Sequence, residues 1–567
     1  MDKRWIYKKI PASADVDALT KSININSHLS TILLQRGITD FESAKKFFRP
    51  SLDQLHDPFL MKDMHQAVER LKKAIDLNEN ILVYGDYDVD GTTSVSLVYS
   101  YLKSFHSNCD FYIPDRYSEG YGVSEAGIMW AEQNNFTLII ALDLGVKASD
   151  MVMLAKHKGI DFIICDHHVP GESIPNAVAV LDPKRADCNY PFKELSGCGI
   201  GFKFLQAFAR AYKVEEDIYE YVDLVAVSIA SDIVPINGEN RILTYFGLQK
   251  LNQNPLPGLK ALKEIAAIKS DLDVSGVVFT LGPRINAAGR VAHAKGAVEL
   301  LISKTEEEAN ILAEKINLKN DLRREFDTTI TEEAIAMIEG DETLRTAKST
   351  VLFKNTWHKG VIGIVAARCV EKYYRPTVIL TESNNKITGS ARSIKDFDLY
   401  EAITRCGDLL EKFGGHKYAA GLTMDISNLV AFQQRFEAIA ASSLTAEMLT
   451  PAIEIDLSLS FDALTPKFNS ILKQMGPFGP ENHKPVFETK DVYALNSLAS
   501  FKDKHLRFMA AQENNDTVFN VVGFDMMEHY ARIAKGDRFK IAYTLEENVF
   551  NGNTSLQLRI KDIKFEL

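Results

Sequence analysis

Three carboxylates stand at alternate positions in ILVYGDYDVDGTTS, residues 81–94: Asp86, Asp88 and Asp90. Aspartates this close repel one another. A hard divalent cation such as Mg²⁺ or Mn²⁺ relieves that repulsion through oxygen coordination. An exposed acidic turn is the plain alternative. Further along, Asp143 closes the run TLIIALDLG, the trio Asp166, His167 and His168 closes DFIICDHH, and Asp232 lies in SIASDIVPI. Taken singly, Asp143 reads as a helix cap and His167 as a satisfied core histidine. Together, a mixed Asp/His set fits a two-metal centre, in which ions about 3.5–4 Å apart clamp an in-line displacement at phosphorus.

These groups need a scaffold that brings them together. Ile81 to Tyr84 form a short apolar run that predicts a buried strand, broken at Gly85. Val95, Leu97, Val98 and Leu102 predict the helix that follows Thr92 and Thr93. The runs ILVYG (81–85), FYIP (111–114), TLIIALDLG (137–145), DFIICDHH (161–168) and AVAVLDP (177–183) alternate with helical stretches. That alternation predicts βαβ units and a parallel sheet. In such a sheet the strand ends that carry the acidic and imidazole groups share one edge.

The chain has 567 residues, which implies three or four domains. A hydrophobic content of 46% and a charged content of 25% are those of a soluble globular protein. No apolar run reaches the roughly 18 residues needed to span a bilayer, and MDKRWIYKKI has no apolar core of signal-peptide type. Six scattered cysteines without a CxxC pair predict reduced thiols and a cytoplasmic location. The formal net charge of −11 argues against a bulk electrostatic nucleic-acid binder but leaves room for a local basic groove.

GDYDVDGTTS, ALDLG, DHH and SIASD resemble, in this order, the four motifs of the DHH phosphoesterase superfamily. The resemblance implies a bound pair of Mn²⁺ or Mg²⁺ ions. Asp86, Asp88, Asp143, His167 and Asp232 match the metal ligands, and His168 matches the histidine that contacts the scissile phosphate or supports the metals. Asp90 and Asp166 match supporting carboxylates, Asp166 holding an imidazole. Some relatives carry a ligating histidine where this chain has Tyr84, which would leave one ligand to water.

Other segments narrow the resemblance. YIPDRYSEGYGVS (112–124) offers Arg116 as a bidentate phosphate binder, with Gly120 and Gly122 permitting close backbone approach. It resembles a stretch of the RecJ-type nucleases, although a surface turn reads equally well. LGPRINAAGRVAH sets Arg284, Asn286 and Arg290 among small residues and matches the same family. The stretch 305–340 lacks Pro and interior Gly, and its apolar positions Ile311, Leu312, Ile316, Leu318 and Leu322 predict one long helix or two in line. Beyond it, WHKGVIG, GSARS and FGGHKYAAG resemble the DHHA1 domain. His358 precedes a helix N-terminus that could receive an anion. Ser390 and Arg392, two apart, share one face of a strand. By resemblance they hold a 5′ phosphate near Arg116, and His416, on a glycine-rich loop, contacts the backbone beside the scissile bond. Residues 446–567 alternate like strands and predict a small barrel, an OB-fold. Phe501, Phe508 and Tyr543, with Lys502, Lys504 and Arg507, could offer stacking on a basic face, core packing of the aromatics being the default.

The expected architecture is multidomain α/β: a helical lead-in (1–50), a DHH parallel-sheet domain (51–250), a helical connector (251–344), a DHHA1 α/β domain (345–445) and a C-terminal β-barrel (446–567). The resemblance implies a single-strand-specific 5′→3′ DNA exonuclease of repair and recombination. It further implies a monomer, a single-strand-binding protein and a helicase as partners, and no membrane. The alternatives are a small-substrate DHH phosphodiesterase acting on nanoRNA or cyclic dinucleotides, and a non-catalytic single-strand-binding or replication scaffold with a degraded motif set.

Overall fold

The computed structural model describes residues 3–214, 217–495, 497–550 and 552–565. The chain divides into two compact units: His56–Asp232 with Phe246–Pro451, and Met1–Leu55 with Ile233–Tyr245 and Ala452–Leu567.

The first of these holds two sheets. In one, β1 (Ile81–Gly85), β2 (Cys109–Tyr112), β3 (Leu138–Leu142), β4 (Asp161–Cys165) and β5 (Ala179–Leu181) are all parallel, in the order β2-β1-β3-β4-β5. Every residue of β1 and β3 is buried, because helices cover both faces, and so these strands read as unbroken apolar runs. The strand order reverses between β1 and β3. Such a switch point opens a crevice at the carboxyl ends of the strands.

The other sheet contains β6 (Thr350–Phe353), β7 (Thr377–Ser383), β8 (Lys386–Arg392), β9 (Lys412–His416) and β10 (Ala419–Met424), in the order β9-β10-β8-β7-β6. The FGGHKYAAG stretch is therefore a hairpin and not a loop, with His416 paired opposite Ala419. A single helix, Glu306–Gly340, joins the two sheet regions. Its buried stripe is Ala309, Ala313, Ile316, Asn320, Asp327, Ile330, Ala334 and Ile338. Ile311, Leu318 and Leu322 are exposed instead, at 53%, 69% and 42%. Small and even polar residues won the packed face because the neighbouring helix Gly282–Val291 approaches closely and Asp327 is neutralised by Arg368.

In the other unit, β11 (Phe487–Ala494), β12 (His505–Gln512), β13 (Asn515–Gly523), β14 (Phe539–Phe550) and β15 (Asn553–Phe565) close a ring, β11-β14-β15-β13-β12 and back to β11. Closure removes the open edges of the sheet. Phe508 and Tyr543 are 3% and 0% exposed and lie in the barrel core, so they cannot stack on a bound strand. Phe501 packs against His505 and Phe524 at centroid distances of 4.9 and 6.1 Å. Leu19, Leu29, Ile32 and Leu33 of the N-terminal helices join the same hydrophobic core as the barrel. Asp40 caps the third of these helices through a reciprocal bond with Ser43. Among the described residues, no helix is long and apolar enough to cross a membrane.

Candidate metal centre and phosphate cleft

β1 ends at Gly85 and the chain turns at once into the helix Val89–Lys103. Gly91 permits the turn, since a Cβ there would lie 2.5 Å from the Asp86 carbonyl oxygen. Asp88 caps the helix, accepting from the Gly91 N–H at 3.0 Å. Asp86 is 1% exposed, and neither of its carboxylate oxygens has a hydrogen-bond partner. Burial and the adjacent Asp88 hold its carboxyl well above the usual carboxylate range. Asp88 is raised too, by burial and by Asp90.

Asp143 follows β3 in the left-handed region, at φ 61°, with its N–H donating to the Cys165 carbonyl at 2.9 Å. It is no helix cap: the next helix, Ser149–His157, starts after Ala148. Its Oδ1 lies 3.2 Å from His167 Nε2, and Asp232 Oδ2 lies 3.6 Å from the same nitrogen. Burial, then Asp90, Asp88, Asp232 and Asp86, push the Asp143 carboxyl far up. Burial lowers the His167 pKa, which favours the neutral, ligating imidazole, and its Nδ1 has no partner.

Two further carboxylates are hydrogen-bonded within the protein. Asp90 accepts from the Gly197 and Cys198 N–H groups at 2.7 and 2.8 Å and from Ser228 Oγ at 2.7 Å. It thereby anchors the start of the helix Gly197–Tyr212, where a negative charge is favourable. Asp166 accepts from the Val146, His167 and His168 N–H groups and from His168 Nδ1, the last at 2.7 Å. Burial alone would raise Asp166, but these bonds bring it down to about 2. The same bond raises His168 against the lowering effect of its own burial.

Ligand atoms of Asp143, His167 and His168, and likewise of Asp90, His167 and Asp232, lie within 4.8 Å of one another. Buried carboxylate oxygens without partners, crowded by like charges, are costly unless a cation neutralises them. Oxygen and imidazole donors in this proportion suit Mn²⁺ or Mg²⁺. The residues present therefore fit a divalent metal centre.

Beside this cluster opens a cleft of about 1200 Å³, lined by His167 and His168 from the parallel sheet and by β8 to β10 from the second sheet. Arg116, Arg290, Ser390, Arg392 and His416 all line it. Burial and then the charges of Arg116, Arg392 and Arg323 push Arg290 down to about 9. Arg392 is lowered by burial and by Arg116. Guanidinium groups held this close are anion-seeking. Arg392 also donates to Ser390 Oγ at 3.2 Å. A Cβ on Gly363 would lie 2.8 Å from that oxygen, so glycine lets the helix Ile362–Tyr373 begin against it.

Asp86, Asp88, Asp90, Asp143 and Asp232 lie behind the cleft lining, and three of the candidates for binding phosphate also lie outside it. Arg284 is turned the other way, donating to Asn317 Oδ1 at 3.2 Å and to the Thr280 carbonyl at 2.8 Å. Asn286 shares that helix and is absent from the lining. His358 stacks on Phe326 at 4.8 Å and accepts from the Gly360 N–H, so its role is to brace the loop, while Lys359 and Gly360 reach the cleft. Tyr84 points away from the carboxylates into a core cluster and accepts from the Ser124 N–H at 3.1 Å. Conversely, Tyr87, Tyr121 and Lys184 line the cleft and were missed. Arg116 sits over the Tyr87 ring at 4.8 Å, and the Tyr121 hydroxyl is 3.2 Å from His168 Nε2. For the two tyrosines the signal was their place inside motifs already singled out: between two aspartates and between two glycines.

Three family models match in order: DHH family, N-terminal domain (80–229), DHHA1 domain (346–442) and RecJ OB domain (455–562). The single-stranded-DNA-specific exonuclease RecJ of Bacillus subtilis (strain 168) is 36% identical over 564 residues, covering 99% of this chain and 70% of that protein. The chain belongs to the RecJ family. The RecJ of Escherichia coli (strain K12) is 32% identical and is matched over 90% of its length and 89% of this chain. The fold agrees with the crystal structure of RecJ in complex with Mn²⁺ from Thermus thermophilus, with a TM-score of 0.85 and 26% identity, covering 99% of this chain and 79% of that one. RecJ from the same organism is also known in complex with Mg²⁺, at a TM-score of 0.79 and 25% identity, covering 99% of this chain and 78% of that one. The RecJ architecture of DHH domain, DHHA1 domain and OB barrel thus runs through the chain described above.

Proposed function

We propose that this protein hydrolyses single-stranded DNA from the 5′ end, releasing 5′-mononucleotides with the help of two divalent ions, Mn²⁺ or Mg²⁺. One observation carries the reading: His167, 3.2 Å from Asp143 and 3.6 Å from Asp232 in the crowded acidic cluster, lines the same cleft as a set of crowded guanidinium groups. The first suits cations at a reacting phosphate, the second a terminal phosphate. Their coexistence suits an enzyme that measures from a strand end.

Asp86, Asp88, Asp143, His167 and Asp232 would hold the ions. When bound there, divalent ions supply an activated water and neutralise charge growing on the phosphoryl oxygens. Asp166 keeps His168 turned by its Nδ1–H, and its Nε2, which the Tyr121 hydroxyl meets at 3.2 Å, would contact a phosphoryl oxygen in place of that hydroxyl. Asp90 fixes the helix start behind the ligands. Arg116, Arg290, Ser390 and Arg392 bind the 5′ phosphate, and His416 contacts the backbone near the scissile bond. Holding the end at a set distance from the cluster fixes one nucleotide per cut. In this reading the labour divides as the sequence suggests: catalysis over residues 51–250, end recognition over 345–445, strand binding over 446–567. The protein would act in repair and recombination, in the cytoplasm, as a monomer, beside a single-strand-binding protein and a helicase.

The test is a single-stranded DNA labelled at its 3′ end, incubated with Mn²⁺ beside a matching duplex and a dinucleotide. Progressive shortening with late loss of the label, and sparing of the blunt duplex, is expected. Cleavage of the dinucleotide alone would assign a small-substrate phosphodiesterase instead. Activity surviving Asp143→Ala would overturn the ligand assignment.

A further inference from the structure

The cleft wall made by β8, β10 and β9 is a three-by-three array of outward positions. Its register sets Arg392, Ala419 and His416 in one row, Ser390, Gly421 and Gly414 in the next, and Thr388, Thr423 and Lys412 in the third. All except Ala419 line the cleft. Neighbours within a row stand about 5 Å apart, and rows lie two residues apart, roughly 7 Å. The first row holds the end-binding arginine and His416. The middle row, beyond Ser390, has no side chains at all.

Those two glycines are not there for the backbone. Neither Gly414 nor Gly421 is among the glycines with positive φ. A Cβ on Gly414 would meet nothing within 4 Å, and one on Gly421 only the Gly389 carbonyl oxygen at 3.9 Å. Gly389 makes the contrast: its Cβ would fall 2.4 Å from Leu380 Cδ2, so packing demands it. Glycine weakens a strand interior, and where the fold does not need it, it marks close approach of a ligand. The space above this floor is the cleft that His167, 6% exposed and unpartnered at Nδ1, lines from the parallel-sheet side.

We propose that Gly414 and Gly421 form the floor of a nucleobase pocket for the strand's 5′-terminal nucleotide, with Thr388, Thr423 and Lys412 at the base edge; this rests on the nuclease reading. A phosphate needs converging donors, which the first row and Arg116 already supply. A bare peptide surface suits a planar ring. The third row suits a base edge, because threonine hydroxyls both donate and accept. The same versatility lets one pocket take all four bases. The pocket thus senses the presence of a base and not its identity.

The experiment compares two 5′-phosphorylated single strands with Mn²⁺, one normal and one whose 5′-terminal residue is a deoxyribose analogue without a base. The unmodified protein should favour the base-bearing strand in kcat/KM by about tenfold, the discrimination that one or two hydrogen bonds to a base edge supply. Gly421→Val and Gly414→Val should each bring that ratio toward one. Thr423→Val, which keeps the shape, should reduce it about three- to tenfold. Circular dichroism confirms that each valine variant is folded, since misfolding would lower both strands alike and leave the ratio in place. A ratio near one in the unmodified protein, or one that survives both valines, overturns the proposal. Cleavage of neither strand by the unmodified protein would sink the nuclease reading and the pocket with it.

Discussion

Adding one methyl group at Gly197 should disable the proposed metal centre without replacing any of its ligands. Gly197 opens the helix Gly197–Tyr212, whose first N–H groups Asp90 receives. A Cβ there would lie 2.6 Å from Asp143 Cβ, 2.9 Å from its Cα and 2.9 Å from Oδ1. Carbon atoms in contact settle at about 3.5–4.0 Å, so Asp143 or the helix start must move by roughly 1 Å. Neither can yield freely. Asp143 is held by its N–H bond to Cys165, and the helix start by Asp90. Overpacking of this kind typically costs ~1–3 kcal/mol of stability, while displacing a reacting group by about 1 Å costs on the order of 100-fold in rate. Gly199→Ala is the matched control on the same helix. Its Cβ would stand 3.4 Å from Leu195 Cδ2 and Ser196 Oγ, a contact that needs little adjustment. The assay is single-strand degradation with Mn²⁺, with circular dichroism to verify folding. Gly197→Ala should fall by about 100-fold and Gly199→Ala should stay within a few-fold of the unmodified rate. A Gly197→Ala protein with unimpaired activity would refute the argument that helix and ligand are packed without slack.

Asp86→Asn removes a buried charge that has no partner, so the metal-free protein should melt at a higher temperature, while activity falls more than about 100-fold, beyond the loss typical for a supporting residue. The rise in melting temperature on adding Mn²⁺, worth ~2.7 kcal/mol at a hundredfold excess over Kd, should shrink; an undiminished rise would remove Asp86 from the ligand set. Asp182, after β5, has one buried oxygen without a partner, and burial pushes its carboxyl up to about 7. Its proton is retained in the folded state and lost in the unfolded one between the ordinary carboxylate range and that value, so its contribution makes stability fall as pH rises through this window. Asp182→Asn should flatten the decline in melting temperature between acid and neutral pH, and an equally steep profile would refute it. Tyr543→Phe deletes a buried hydroxyl bonded to Thr489 Oγ1 at 2.9 Å and should cost ~1 kcal/mol in a denaturant titration while leaving single-strand binding intact. A loss of binding would return Tyr543 to the strand-contacting face.

Much of the site was legible because its residues follow strand ends. Period and run length mark β1, β3 and β4 in the sequence, and a parallel sheet must gather what comes next on one edge. Asp86, Asp143 and His167 follow from that pattern as candidate ligands, whereas Asp232 closes the helix Val222–Ser231 and is a candidate through its motif. What misled was residue type without direction. Arg284 and Arg290 look equivalent in GPRINAAGR, yet they lie six residues apart on the helix Gly282–Val291, and only Arg290 reaches the cleft. His358 and Lys359 are adjacent, and the loop sends one to Phe326 and the other to the cleft. In the barrel, alternation predicted strands but not which face is inward, so stacking stayed open for Phe508 and Tyr543 beside core packing, the default that their burial bears out. The long helix was plain from its lack of breakers, but its packed face follows small residues that a search for large apolar ones overlooks.

The sequence by itself determined the candidates: donors suited to a hard metal just after three strand ends and one helix end, and a hydroxyl and a guanidinium two apart on a later strand. These follow from local pattern and covalent spacing alone. Only the tertiary structure decided which cations meet in the cleft, which groups Asp90 and Asp166 bond, that Tyr84 stays in the core, and that two glycines of a hairpin face open space. Those outcomes depend on which surfaces pack together, and packing is set by contacts between residues far apart in the chain.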